Sequence, residues 1–154
     1  MEKSFRERYE QQAKKFKLPS FDDLEKEFNI SEIENPKNMI RDIREKIGEK
    51  IHNCCELLDQ MLQPDTNLSS LYESRVFSEE HKIEIFEMYK KLMRLKRKAN
   101  FLYVQNDEKA DAEFISDCLN EWVQVKPGLS GILKKMEESW KINIESAEKL
   151  GYLG

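Results

Sequence analysis

Residues 36–63 read PKNMIRDIREKIGEKIHNCCELLDQMLQ, and within them Ile40, Ile43, Ile47, Ile51, Cys54, Leu58 and Met61 recur at steps of three, four, four, three, four and three. That spacing returns to one side of a helix on every turn, so it predicts one long helix from about Pro36 to Gln63 with a continuous apolar seam. A seam of that length must be covered by other elements. Gly48 lies inside it, at a cost of about 1 kcal/mol relative to Ala, which points to a close helix crossing. Pro64-Asp65 ends the run.

The composition extends the same reading to the whole chain. Thr occurs once and Val four times in 154 residues, while Glu, Lys, Leu and Ile dominate; that usage suits helices and is poor material for sheets. The length fits a single ordinary domain. Charged residues make up 36% and apolar residues 39%, enough for a core in a chain too charged to be buried all round. The expected fold class is therefore all-α, an antiparallel helical bundle of three to four long helices, with residues 36–154 as the bundle domain and residues 1–35 as an acidic and aromatic N-terminal segment.

Downstream of the seam, residues 64–77 (PDTNLSSLYESRVF) form the longest connection, an Ω-like loop held on the bundle by Leu68, Leu71, Tyr72 and Phe77. Ser78, with Glu79 and Glu80 behind it, opens a second long helix reaching about Val104, with Ile85, Tyr89, Leu92, Ala99 and Leu102 as its core stripe, flanked by Phe86, Met88 and Leu95. Asn106-Asp107 breaks and recaps the chain into a third helix bearing Phe114, Ile115, Cys118, Leu119 and Trp122. Pro127-Gly128 closes or kinks it. A fourth helix carries Leu129, Leu133, Met136, Trp140, Ile144 and Ala147 and ends at Gly151 as a left-handed cap, with Tyr152 behind it. Both tryptophans fall on core stripes.

Upstream, Phe5, Tyr9 and Phe16 recur at nearly helical spacing in residues 1–17, and Leu18-Pro19-Ser20 interrupts them. Ser20 with Asp23 caps a short helix presenting Phe21, Leu24 and Phe28, and Ser31 with Glu34 repeats the capping pattern ahead of Pro36, placing that proline in the first turn of the long helix. Five aromatic residues, Phe5, Tyr9, Phe16, Phe21 and Phe28, exceed what a solvated tail carries. The segment either wraps the bundle or anchors into another protein.

The formal charge of −4 gives no global attraction to nucleic acid or anionic lipid. No apolar run approaches the ~20 residues that cross a bilayer, and the N-terminal MEKSFRERYEQQAKKFK lacks a signal-type stretch, so a cytoplasmic protein without membrane contact is expected. Cys54, Cys55 and Cys118 lack zinc-type spacing and read as reduced thiols, with Cys55 at the edge of the core. No glycine-rich phosphate loop or nucleophile motif is present, and no cofactor is expected.

Three constellations carry chemistry. Glu84-x-x-Glu87 followed by Glu108-x-x-Asp111 resembles the motif with which all-α nucleoside-triphosphate pyrophosphohydrolases hold Mg²⁺. That resemblance implies four carboxylates converging on a metal that activates water. An unbroken helix over residues 79–104 would instead hold Glu87 and Glu108 roughly 25–30 Å apart, and the apolar stretch that follows the family's final Asp is missing. The row Glu45, Glu49, His52, Glu56 and Asp59 contains one Glu-x-x-His pair, where a di-iron bundle supplies two; it reads as a solvated face. The third is the basic run at residues 90–98, with Lys90, Lys91, Arg94, Arg97 and Lys98 on one side of a helix. That stripe suits phosphates or an acidic protein, unless the acidic segment 22–34 docks onto it from the same chain.

The strings LPSFDDLEKEF, PDTNLSSLYE and KKMEESWK together resemble a group of small helical archaeal proteins of unknown function, over most of residues 18–141, and that resemblance brings no activity with it. YKKLMRLKR with the amphipathic helix after it is similar to the helical domain of GINS replication subunits, without their small β domain; this similarity implies membership of complexes. The function expected is non-enzymatic: an adaptor or complex subunit binding another protein through Phe5, Tyr9, Phe16, Phe21 and Phe28 or through the basic helix. The alternatives are a nucleic-acid-associated factor using residues 90–98 and the Mg²⁺-dependent pyrophosphohydrolase.

Overall fold

The computed structural model describes residues 3–141 and is all-α among them: α1 (Phe5–Phe16), α2 (Phe21–Phe28), a 3₁₀ turn (Ile30–Glu32), α3 (Met39–Leu62), α4 (Leu68–Arg75), α5 (Glu79–Gln105) and α6 (Glu108–Ser139). The three long helices α3, α5 and α6 pack on one another. Ile40, Ile43, Ile47, Ile51, Leu58 and Met61 are buried along α3, and they meet Ile85, Leu92, Leu95 and Leu102 of α5 and Phe114, Ile115, Cys118, Trp122 and Val125 of α6 in one core. At the crossing of α3 with α5, a Cβ built on Gly48 would lie 3.6 Å from the Cβ of Ala99. The helices are close there, yet the gap still admits a methyl group.

Caps set the boundaries. Ser4, Ser20, Asn38, Asn67, Ser78 and Asp107 each accept a backbone N–H in the first turn of their helix. Asn106 in the left-handed conformation closes α5, and Asp107 opens α6 in the next residue. The start of α3 differs from the expectation drawn from Ser31, Glu34 and Pro36. The left-handed Asn35 (φ 44°) turns the chain, Pro36 lies ahead of the helix, and Asn38 caps it. Ser31 instead donates its backbone N–H and its hydroxyl to the Glu25 carboxylate at 2.9 and 2.6 Å.

Three further corrections concern the chain beyond α3. The third and fourth predicted helices are one helix, α6, with Pro127 inside it. Pro127 and Val123, whose carbonyl loses its helical donor, lie on the exposed side, where water can replace the missing bond. Gly128 then lets α6 approach α5, since a Cβ there would meet Met88 Sδ at 3.0 Å. Residues 64–77 hold a helix, α4, and Leu68 is exposed while Tyr72 and Phe77 are buried. Trp140 is half-exposed, not core; the last turn of α6 runs over α4, where the indole stacks on Tyr72 at 4.4 Å and donates to Glu73 at 3.0 Å. Ile144, Ala147 and the Gly151 cap lie outside the described residues.

Two buried charged groups tie elements together. Arg44 of α3 and Asp111 of α6 are both almost fully buried, with Nε and Oδ1 at 3.0 Å. The N–H does not point at that oxygen, so the contact is one of charge and not an aligned hydrogen bond. Arg44 Nη1 donates to the Ala99 carbonyl of α5 at 3.4 Å, so one side chain touches all three long helices. Burial lifts the Asp111 carboxyl above its usual value, and Arg44 offsets part of that rise. Glu27 of α2 accepts from Trp122 Nε1 at 2.8 Å and from Lys126 Nζ at 2.9 Å, and Phe28 lies against the Trp122 ring at 5.9 Å.

Because the Gly48 gap admits a methyl, Gly48→Ala should raise unfolding free energy by about 0.5–1 kcal/mol through helix propensity, whereas Gly48→Leu should lower it; urea denaturation measures both. Burial opposes ionisation of Glu27, but the Lys126 and Trp122 hydrogen bonds outweigh it, so the carboxyl titrates below its usual value. Stability from a lowered carboxyl is fully present above the unfolded value of about 4.3 and fades as pH falls through the native one. Trp122 fluorescence in a Trp140→Phe background should therefore report loosening of α2 only below about pH 4, and Glu27→Gln should abolish that transition.

Candidate interaction surface on α5

Of the two surfaces nominated from sequence, the aromatic one is largely enclosed by the chain itself. Tyr9 is fully buried and its hydroxyl donates to the Pro19 carbonyl; burial pushes that phenol up. Phe21 packs on Tyr9 at 5.8 Å and on Phe5 at 6.2 Å, and Phe28 is buried on Trp122. Phe5, Phe16 and Phe21 are half-buried against the same core. Of the two readings of the N-terminal segment, wrapping is the arrangement its described residues 3–35 adopt. Phe16 keeps one open side, on a depression of about 530 Å³ with Lys15, Lys17, Lys109, Glu113 and Asp117 around it.

The acidic segment does not reach the basic stripe. Asp22 pairs with Arg6 at 3.3 Å, Glu27 with Lys126, and Glu32 with Lys46 at 3.1 Å, because α2 lies over α3 and α6 on the side away from the outer surface of α5. Lys90, Lys91, Arg94, Arg97 and Lys98 are accordingly exposed. Two of them have nearby carboxylates, Lys90 with Glu87 at 3.4 Å and Arg94 with Glu121 at 3.3 Å. Arg97 bonds Asn100 at 3.0 Å, and Lys91 and Lys98 have no ion-pair partner among the described residues. Lys96, on the flank facing α3, approaches Glu56 at 3.8 Å.

Sequence reading missed the companions of these cations. Ile83, Phe86, Phe101 and Val104 are 65%, 48%, 57% and 74% exposed. With Lys90, Arg94 and Arg97 they recur as 83, 86, 90, 94, 97, 101 and 104, at steps of three, four, four, three, four and three. At 100° per residue this row falls on the side of α5 opposite Ile85, Leu92, Leu95 and Leu102. α5 therefore carries two stripes, one in the core and one facing out, and the outer one is apolar at both ends and cationic in the middle. The Lys90 ammonium lies 5.8 Å from the centre of the Phe86 ring, joining the two kinds of residue. The signal was present in the spacing, but Phe86 read as a flank of the core stripe.

The carboxylates of the pyrophosphohydrolase-like motif stand apart. α5 is unbroken, so Glu87 lies about 27 Å along its axis from Gln105, and Glu108 opens α6 beyond that end. Asp111 is buried and committed to Arg44. Glu45, Glu49, His52, Glu56 and Asp59 are exposed along α3. Among the described residues no group of three or more His, Cys, Asp or Glu side chains is placed to hold a metal ion, and no helix is long and apolar enough to cross a membrane. The three thiols are free and buried, Cys55 included, in place of the edge position expected for it; burial pushes Cys55 up to about 11 and raises Cys54 and Cys118 as well. The chain matches no protein-family model, no curated protein and no solved structure, so the reading of its surface stands on geometry and chemistry.

Proposed function

We propose that the protein is a non-enzymatic interaction subunit or adaptor that binds another protein through the outward face of α5. One observation carries this reading: four exposed apolar side chains stand in line with three cations on the side of a helix that its own core leaves untouched. Single exposed apolar residues are ordinary, but an aligned row marks an interaction surface. Aromatic and arginine side chains are also the types that anchor protein interfaces. The proposal moves the expected contact away from the N-terminal aromatics, whose rings support the chain's own fold.

A nucleic-acid role is the second reading, supported by the unpaired Lys91 and Lys98 beside Arg97. Against it, Glu87, Glu121 and Glu56 lie within 4 Å of neighbouring cations, and phosphates have no use for Ile83 or Val104. Phe86→Ser and Phe101→Ser should leave thermal unfolding nearly unchanged, since both rings are exposed, while weakening partner binding by about 2 kcal/mol, or ~30-fold. A photoreactive residue at Phe101 should crosslink a protein in a native extract, and one at the exposed α6 position Gln124 should not. Salt-steep retention of RNA or DNA, lost on charge reversal of Arg94 and Arg97 and accompanied by no protein adduct, would decide for the second reading.

A further inference from the structure

Resting on that reading, we infer that the occupant of the α5 outer face is an amphipathic helix of another protein, apolar at its two ends and acidic in its middle. The row from Ile83 to Val104 is about 31 Å long at 1.5 Å per residue. Its mean step of 3.5 residues winds the row slowly around the helix axis, by about 20° per heptad, the left-handed drift that a second helix packed at about 20° follows. Ile83 and Phe86 form one apolar patch, Phe101 and Val104 the other, and Lys90, Arg94 and Arg97 fill the gap between them. A complementary helix then needs two apolar anchors about five turns apart with carboxylates between them.

Charge excludes the other occupants of such a seam. A second copy packed antiparallel would set Lys90, Arg94 and Arg97 against Arg97, Arg94 and Lys90, and a parallel one would set each cation against itself. Either way six positive groups share one seam, a juxtaposition that opposes association. A flat anionic membrane would take the apolar residues into its acyl region, but the three cations stand on the same line and would be carried to the same depth. An acidic helix meets no such conflict. The resident pairs Lys90–Glu87 and Arg94–Glu121 are exposed, and pairs of that kind are weak enough to be exchanged for a partner's carboxylates.

The test uses the full chain and two fluorescein-labelled helical peptides of about 28 residues, four heptads long. Both carry Leu at the seam positions of the outer heptads; the central seam positions are Glu in one and Lys in the other. Fluorescence anisotropy at about 0.15 M salt should show the Glu peptide binding at least about tenfold more tightly than the Lys peptide. The double variant Arg94→Glu with Arg97→Glu should reverse that preference, and Phe101→Ser or Ile83→Ser should weaken the Glu peptide by about tenfold, with circular-dichroism melts matching the parent. Sedimentation equilibrium should find a monomer. Equal binding of the two peptides, or none, overturns the inference. A dimer dispersed by Phe101→Ser overturns it while leaving the protein-binding reading intact, and retention on phosphatidylserine vesicles lost in Phe101→Ser overturns both.

Discussion

The fold depends on one constraint: the isoleucine seam of α3 has to be covered along its whole length. Ile40, Ile43, Ile47 and Ile51 are at most 1% exposed, and Leu58 and Met61 continue the line. A single neighbouring helix covers only part of a face that wide, so α5 and α6 lie side by side over it. The two have to be long because the seam is long, and the adjacent capping residues Asn106 and Asp107 end one and open the other. The N-terminal helices then seal the remaining flank, with Tyr9, Leu24, Phe28 and Ile30 fully or nearly buried.

Apolar burial leaves the relative placement of helices loosely specified, since apolar side chains slide past one another more readily than charged ones separate. Arg44 and Asp111 fix it. Removing either would strand a charge in the core, a loss of about 3–5 kcal/mol in comparable pairs. The Glu27 carboxylate performs the corresponding task for α2, which it fastens to α6 through Trp122 and Lys126. Charged groups at these points join α3 to α5 and α6, and α2 to α6, with charged and hydrogen-bonded contacts that apolar packing lacks.

Much of the architecture was legible in the sequence because it is periodic. The α3 seam, the unbroken α5 and the Ser20, Ser78 and Asn106-Asp107 boundaries follow from spacing and capping chemistry. The failures have physical causes. Pro127 reads as a helix end by local rules, but its lost hydrogen bond falls on the wet side of α6, where the helix tolerates it. Trp140 keeps the core register yet lies beyond the end of the core. Arg44 sits among solvated charges in the sequence, and its burial requires Asp111, 67 positions away. The outer row of α5 was hidden differently: Ile83, Phe86, Phe101 and Val104 are visible in the sequence, but a helix with two apolar stripes cannot be sorted into inner and outer until its neighbours are known.

The same two-sidedness separates two tasks on one helix, holding the bundle and meeting the surroundings. The residues of α5 that hold the bundle and those that face outward share a backbone but no side chain, so drift on the outer row leaves packing undisturbed. Substitutions there can reverse the charge of that surface or resize its rings while the scaffold stays unaltered.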